Sequence, residues 1–297
     1  MENNLKKGLL GVLLCLCMVL SAVPVTARAD MGPKPSVQVE FTGVPEGKAY
    51  YATLLSEKSS TGPARVWDGT VTDARYHQGE EEYEGWKAFV KYEDPDGFYF
   101  LQEVWNCTQK NSMRWGYRPP EVFKIAVFFP ESNSYFVTEV LEQYAFDSYF
   151  TVDLSQATTA AGSAENLVKA EKSYDYTWEL VSLVARVVLT ILVELGLAWL
   201  FGIRERNDFR FIMTVNVVTQ IILNVGLNIS NYNSGPWAFV GSYILYEFIV
   251  FFVEAVVYKR KLGNKYGVRK LSAYTFVANV LSFAAGYGIA YVIPGIF

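Results

Sequence analysis

The sequence predicts two unlike parts: an all-β domain followed by a four-helix α transmembrane bundle. Three observations lead there. Residues 33–155 contain about seven short apolar runs separated by turn signals, the pattern of a small sandwich. Residues 177–297 contain four apolar segments of about 20 residues or more, the length needed to cross a bilayer. Charge divides along the same line. Residues 30–176 carry 23 acidic and 13 basic side chains, whereas residues 177–297 carry 6 and 10. The acidic part argues against nucleic acid as a partner.

The chain of 297 residues opens on a segment that reads as a secretory signal peptide, residues 1–29. Lys6 and Lys7 give the positive start and residues 9–20 the apolar run. Ala27-Arg28-Ala29 is a small-x-small cleavage site, so Asp30 is the expected mature start. Of the three cysteines, Cys15 and Cys17 lie in this segment, which leaves Cys107 without an intramolecular disulfide partner.

Residues 30–155 are the expected extracytoplasmic β-domain. Val37-Gln38-Val39-Glu40-Phe41 alternates apolar and polar, the period of a half-buried strand. Further strands are expected over 49–55, 86–92, 98–105, 122–129, 134–140 and 146–154. Glu93-Asp94-Pro95-Asp96-Gly97 supplies a hairpin turn between two of them. With no helical period and no cysteine pair, these runs predict an antiparallel sandwich of immunoglobulin-like type.

Candidate sites in this domain are few. The run Glu80-Glu81-Glu82 with Glu84 reads as a solvated loop, because calcium needs oxygen ligands spaced around a turn. Asp94-Pro95-Asp96-Gly97 starts like a calcium loop but lacks the later ligands. His77 is the only histidine, which excludes a Ser-His or Cys-His pair of credible spacing and any HExxH zinc motif. Neither a metal set nor a cofactor motif such as GxxxxGK[ST] is present, so no metal and no cofactor are expected. Arg114, Trp115, Tyr117 and Arg118 form an aromatic and basic stretch that a protein partner could grip. Residues 156–176, rich in Ala, Ser and Thr and then charged, read as a linker to the membrane.

The four expected spans cover about 180–203, 209–229, 237–258 and 274–293. Arg204, Arg206 and Arg210 follow the first, and six Lys or Arg between 259 and 270 follow the third. Residues 230–236, between the second and third, carry no charge. Positive loops belong in the cytoplasm. A cleaved signal peptide gives the same orientation: β-domain and C-terminus outside, basic loops inside, in the plasma membrane.

The third span carries Glu247 and Glu254, seven residues apart and so on nearly one helix face. A charge at membrane centre costs about 2.5–3.5 kcal/mol on insertion scales. Counted from the cytoplasmic side at about 1.5 Å per residue, Glu254 lies about 6 Å in, Asn216 and Asn279 about 11 Å, Glu194 about 14 Å and Glu247 about 17 Å. Gln220 extends the stripe begun by Asn216. Four helices thus place a carboxylate or amide in one layer. Interhelical hydrogen bonding alone would account for part of it, at about 0.6 kcal/mol per bond. Arg186 lies higher, near 26 Å, and could reach toward Glu247 or snorkel outward.

The pieces DMGPKPSV, WGYRPPEVFKIAVFFPE, YAFDSYFTVDLS, NVVTQIILNVGLN, EFIVFFVEAVVY and ANVLSFAAG resemble a family of membrane proteins from low-GC Gram-positive bacteria. The resemblance covers nearly the whole chain and implies architecture and localisation, with no activity attached.

Two functions are expected from different classes. One is a binding, sensing or accessory module anchored by the bundle, engaging a protein partner or a second copy. The other is proton- or cation-coupled transport through the Glu/Asn layer. An intramembrane acid/base enzyme is a third reading, against which stands the lack of any paired Glu-Glu with Arg, GxGD, or Gly-x-Ser with His signature.

Overall fold

The alternation in Val37 to Phe41 does produce a strand, β1 (Ser36–Thr42), with Val37, Val39 and Phe41 buried and Glu40 exposed. The computed structural model describes residues 32–44, 47–155 and 166–292. The expected signal peptide, most of the first half of the linker and the C-terminal residues 293–297 lie outside them.

After β1 come β2 (Tyr51–Ser56), β3 (Ser60–Thr61), β4 (Ala64–Arg65), the helix α1 (Tyr83–Val90), β5 (Tyr99–Phe100), β6 (Trp105–Asn106) and β7 (Ser112–Trp115). Then follow β8 (Val122–Phe129), β9 (Ser134–Thr138), β10 (Leu141–Glu142), β11 (Asp147–Asp153), β12 (Asn166–Val168) and β13 (Ala170–Lys172). A four-stranded sheet has the order β13-β11-β1-β7. A larger sheet has the order β12-β9-β8-β2-β5, with β10 beside β8 and β6 beside β2. One core joins the inner faces of both sheets, with Val39 and Phe150 from the first and Leu54, Ile125 and Phe136 from the second. Each such side chain contributes about 1.5–3 kcal/mol through burial. A second core covers the other face of the larger sheet, where Trp86 and Phe89 of α1 meet Phe100 and Phe128.

Several expectations are corrected here. The strand expected over 86–92 is the helix α1, because the buried residues Gly85, Trp86 and Phe89 fall on one helical face. The strand expected over 98–105 is broken into β5 and β6 by Gln102, whose φ of 64° takes the chain out of the extended region. Pairing is not wholly antiparallel, since β1 runs parallel to β11 and β9 parallel to β12. The second half of the expected linker is sheet, with β12 in the larger sheet and β13 in the smaller.

The turn at Asp94 has a different purpose from cation binding. Both Asp94 and Asp96 accept hydrogen bonds from the buried Lys124 ammonium, at 2.8 and 2.6 Å. Among the described residues no group of three or more His, Cys, Asp or Glu side chains could hold a metal ion. The lone Cys107 is fully buried, and burial pushes its thiol up to about 12.

Three helices complete the chain: α2 (Thr177–Leu200), α3 (Arg206–Tyr266) and α4 (Val268–Val292). Among the described residues two of them, α2 and α3, are long and apolar enough to cross a membrane, where four spans were expected. Two things account for the difference: α4, which holds the fourth expected span, is not apolar enough over its described residues, and α3 merges two expected spans. Its 61 residues absorb the second and third expected spans and bend at Gly235, which has φ 78° and ψ −174° and precedes Pro236. The two halves of α3 lie against each other: Asn216 Nδ2 donates to Tyr258 Oη at 2.9 Å, and Thr219 Oγ1 to Glu254 Oε1 at 2.8 Å. In a straight helix Asn216 and Tyr258 would stand about 60 Å apart, so the chain doubles back at the bend.

The helices are polar inside and apolar outside. On α2 the buried residues are Ser182, Arg186, Thr190, Glu194 and Ala198, one every four. Leu180, Val184, Val188 and Leu192 face outward and are at least half exposed. Water would reverse this arrangement, and lipid favours it, so the helical part is suited to a membrane.

Candidate functional site

Two carboxylates organise the helical interior. Glu194 of α2 is 1% exposed. Its Oε2 accepts from Asn216 Nδ2 at 2.7 Å and from Tyr274 Oη of α4 at 3.3 Å. Glu254, in the second half of α3, is fully buried. Its Oε1 accepts from Thr219 at 2.8 Å and its Oε2 from Asn279 Nδ2 of α4 at 2.9 Å. Four helical segments therefore meet through these two groups. Both are held by neutral donors, and no ion pair to either occurs among the described residues. Asn216 Nδ2 also donates to the Ile212 carbonyl at 3.0 Å, while its Oδ1 has no partner. The neighbours fix this amide's orientation, because a reversed one would set Oδ1 against the Glu194 carboxylate and the Ile212 carbonyl, both acceptors.

The remaining layer residues stand apart. Gln220 is buried, but its contact is with Asn224 of the same helix, whose Nδ2 donates to the Gln220 carbonyl at 2.8 Å. Glu247 is 9% exposed, and the Tyr243 hydroxyl one turn before it donates to the Phe283 carbonyl at 3.3 Å. Arg186 neither pairs with Glu247 at ion-pair distance nor snorkels. It is 3% exposed, with its guanidinium 5.2 Å from the ring centroids of both Phe239 and Tyr243. Such stacking is worth about 2 kcal/mol or more when desolvated. Its Nε and Nη2 have no hydrogen-bond partner among the described residues.

A junction ties the β-sheets to the bend in α3. The Phe146 backbone N–H donates to the Tyr232 carbonyl at 2.8 Å. The Phe146 ring lies so close to Gly235 that a Cβ there would meet ring carbons at 2.6–2.7 Å. Around this contact Tyr232 packs against Tyr174 and Tyr144, with ring centroids 5.2 and 6.4 Å away. Tyr174 in turn meets Tyr149 of β11 edge-on at 5.5 Å and donates to Glu179 at 2.5 Å. Burial and then that bond push the Tyr174 hydroxyl well above the ordinary tyrosine range. Beyond the bend, Phe239 and Tyr243 lead directly to Arg186.

The stretch containing Arg114, Trp115, Tyr117 and Arg118 divides. Trp115 is 3% exposed in the core, with its indole N–H on the Tyr117 carbonyl at 3.1 Å, so it offers no surface to a partner. Arg114 points outward from β7. Arg118 lies over the Tyr117 ring at 5.8 Å, and its carbonyl accepts from Thr61 at 3.0 Å. Sequence reasoning did not find Tyr274 as a partner of the Glu194 carboxylate or Tyr258 as a partner of Asn216, nor Phe146 as the residue that meets the bend. Spacing was the available signal for the first two, since Tyr258 follows Glu254 by four residues and Tyr274 precedes Asn279 by five.

No protein-family model matches the chain, and neither a curated protein nor a solved structure resembles it.

Proposed function

We propose that the chain is an integral membrane protein in which a β-rich binding and sensing module acts on a polar helical bundle. The observation that carries this reading is the junction. The β-sheets do not merely precede the helices: Phe146 occupies the bend of α3 that no side chain larger than hydrogen at position 235 would permit. The bend gives α3 two crossings, and α4 adds a fourth to that of α2. The basic residues flanking α2 and α3 support cytoplasmic ends there, and with them an orientation that has the β-rich module and C-terminus outside the plasma membrane. The two facing sheets agree with a sandwich, an immunoglobulin-like one that departs from the pattern in α1. Its partner is a membrane-surface ligand, a protein or a second copy. A photo-cross-linker at Tyr117 in native membranes is expected to capture such a protein. Adducts to lipid alone from every exposed position of the sheets would contradict a protein partner.

A second reading, proton- or cation-coupled transport, draws on the two caged carboxylates, because four segments converge on them. Glu254→Gln keeps one oxygen to accept from Asn279 Nδ2 and turns its amide N–H toward the Thr219 hydroxyl, which can accept it, but removes the acid. It is expected to leave folded protein and abolish a proton or cation flux in reconstituted vesicles. Flux equal to that of the parent would eliminate this reading.

A further inference from the structure

A cleft of about 760 Å³ opens between the outer face of the four-stranded sheet and the chain that leads into α2. That volume lies within the roughly 300–1,000 Å³ of small-molecule pockets. Strand register sets its floor. Arg114 of β7, Gln38 of β1 and Tyr149 of β11 stand opposite one another in a single row across three strands. In the next row Glu40 stands opposite Ser112. Gln38 and Glu40 alternate with the buried Val37, Val39 and Phe41, which fixes them on the outer face. The wall begins at Ser173, whose N–H donates to the Tyr149 carbonyl at 2.9 Å, and continues through Tyr174, Asp175, Trp178 and Glu179.

Charge is unevenly divided across this cleft, with the Glu40 carboxylate on the floor one row from Arg114. Lys110 and Arg114 stand on the β7 side, and among the described residues neither side chain has an ion-pair or hydrogen-bond partner. Asp175 and Glu179 stand on the α2 side, beside Trp178, which is 48% exposed. Bonds from the Thr177 side chain and backbone hold the Asp175 carboxyl below the usual range, so it is charged at neutral pH. The acids favour the start of α2 in any case, but that leaves the two free cations opposite them unexplained. Two converging cations suit a phosphate, to which Arg can present parallel N–H groups. An indole face beside two carboxylates suits an ammonium. The separation of the two sides suits both charges on one molecule.

We propose that this cleft binds an ammonium-phosphate zwitterion, with its phosphate on Lys110 and Arg114 and its ammonium between Trp178 and the carboxylates of Asp175 and Glu179. The proposal rests on the β-rich part being a binding module at a membrane. The same chemistry is presented by a lipid headgroup and by a free molecule, and Trp178 at the start of an apolar helix places the ammonium side near the headgroup level.

The test uses the full chain in maltoside micelles, titrated calorimetrically with phosphocholine. Saturable binding is expected. Arg114→Ala and Trp178→Ala should each weaken it at least tenfold, with Lys110→Ala, an exposed change that leaves the fold intact, weakening it severalfold. Choline and inorganic phosphate alone should compete at least tenfold less well. The titration is then repeated in phosphatidylglycerol and phosphatidylcholine nanodiscs. Binding only in the former identifies a lipid headgroup as occupant; binding in both identifies a free molecule. Absence of phosphocholine binding in micelles and in phosphatidylglycerol nanodiscs, indifference to all three variants, or equal competition by inorganic phosphate would each overturn the proposal. Occupancy is read at the cleft and coupling at the helices, so failure of one is distinguishable from failure of the other.

Discussion

Lys124→Met is expected to destabilise the β-rich part by about 3–5 kcal/mol, the cost of leaving a buried charge without its partner. Lys124 lies in β8 near the middle of the larger sheet, opposite Leu55 of β2. Its side chain is 5% exposed, and that of Asp94 is fully buried. The ammonium donates to both Asp94 oxygens, at 2.8 and 3.0 Å, and lies 5.1 Å from the Phe98 ring. Methionine keeps the length of the stem and loses the charge, so Asp94 is stranded. Asp94→Ala should do comparable damage for two reasons. It leaves Lys124 only the largely exposed Asp96 carboxylate as a partner, and it removes the acceptor of the Asp96 and Phe98 backbone N–H groups that shapes the turn. Urea unfolding followed by tryptophan fluorescence measures both.

The pH dependence has a definite sign. Burial works against the Lys124 charge, yet the bonds to Asp94 and Asp96 outweigh it and hold the ammonium above the ordinary lysine range. A raised lysine pKa contributes stability that is complete below the unfolded value, about 10.4, and is lost as pH rises through the folded value. On the alkaline side the gap between parent and Lys124→Met should therefore hold through neutral pH and begin to narrow above about pH 10.4.

Gly235→Ala is expected to be strongly destabilising. With φ 78° and ψ −174°, position 235 occupies a region open essentially to glycine alone, at about 1–3 kcal/mol for other residues. The added Cβ would also stand 2.6–2.7 Å from the Phe146 ring, an overlap worth a further 1–3 kcal/mol or so. The two contributions separate in a double-mutant cycle. In a Phe146→Ala background the overlap vanishes, and Gly235→Ala should cost only the backbone share. Equal costs in both backgrounds would mean that Phe146 does not press on the bend.

Much of the sheet core was legible from local pattern, and the exceptions have physical causes. β1, β8 and β11 announce themselves by alternation or long apolar runs. In α1 the residues Trp86 to Tyr92 are apolar and aromatic enough to imitate a strand, and the helix shows in the burial of Trp86 and Phe89, three residues apart on one face. Gln102 gives no warning of its positive φ, because glutamine is not a turn residue. β12 and β13 are three residues each, too short for a period to show, and they pair with the free edges of β9 and β11. In the helices, Glu194, Asn216, Glu254 and Asn279 stood out because charge and amide are expensive in apolar spans. Tyr258 and Tyr274 did not, since tyrosine near a span end resembles an interfacial anchor. The Phe146–Gly235 contact was beyond reach, being long-range and carried by residues with no chemistry of their own.

The coupling of sheets to helices is tested most directly by hydrogen exchange on the full chain in nanodiscs. Phe146→Ala is compared with Ile125→Ala, which perturbs the sheet core away from the bend. If the junction transmits, Phe146→Ala will raise exchange in the segment 236–247 and in the part of α2 around Arg186, and Ile125→Ala will raise it only within the sheets. Exchange that rises only within the sheets for both variants would contradict the coupling.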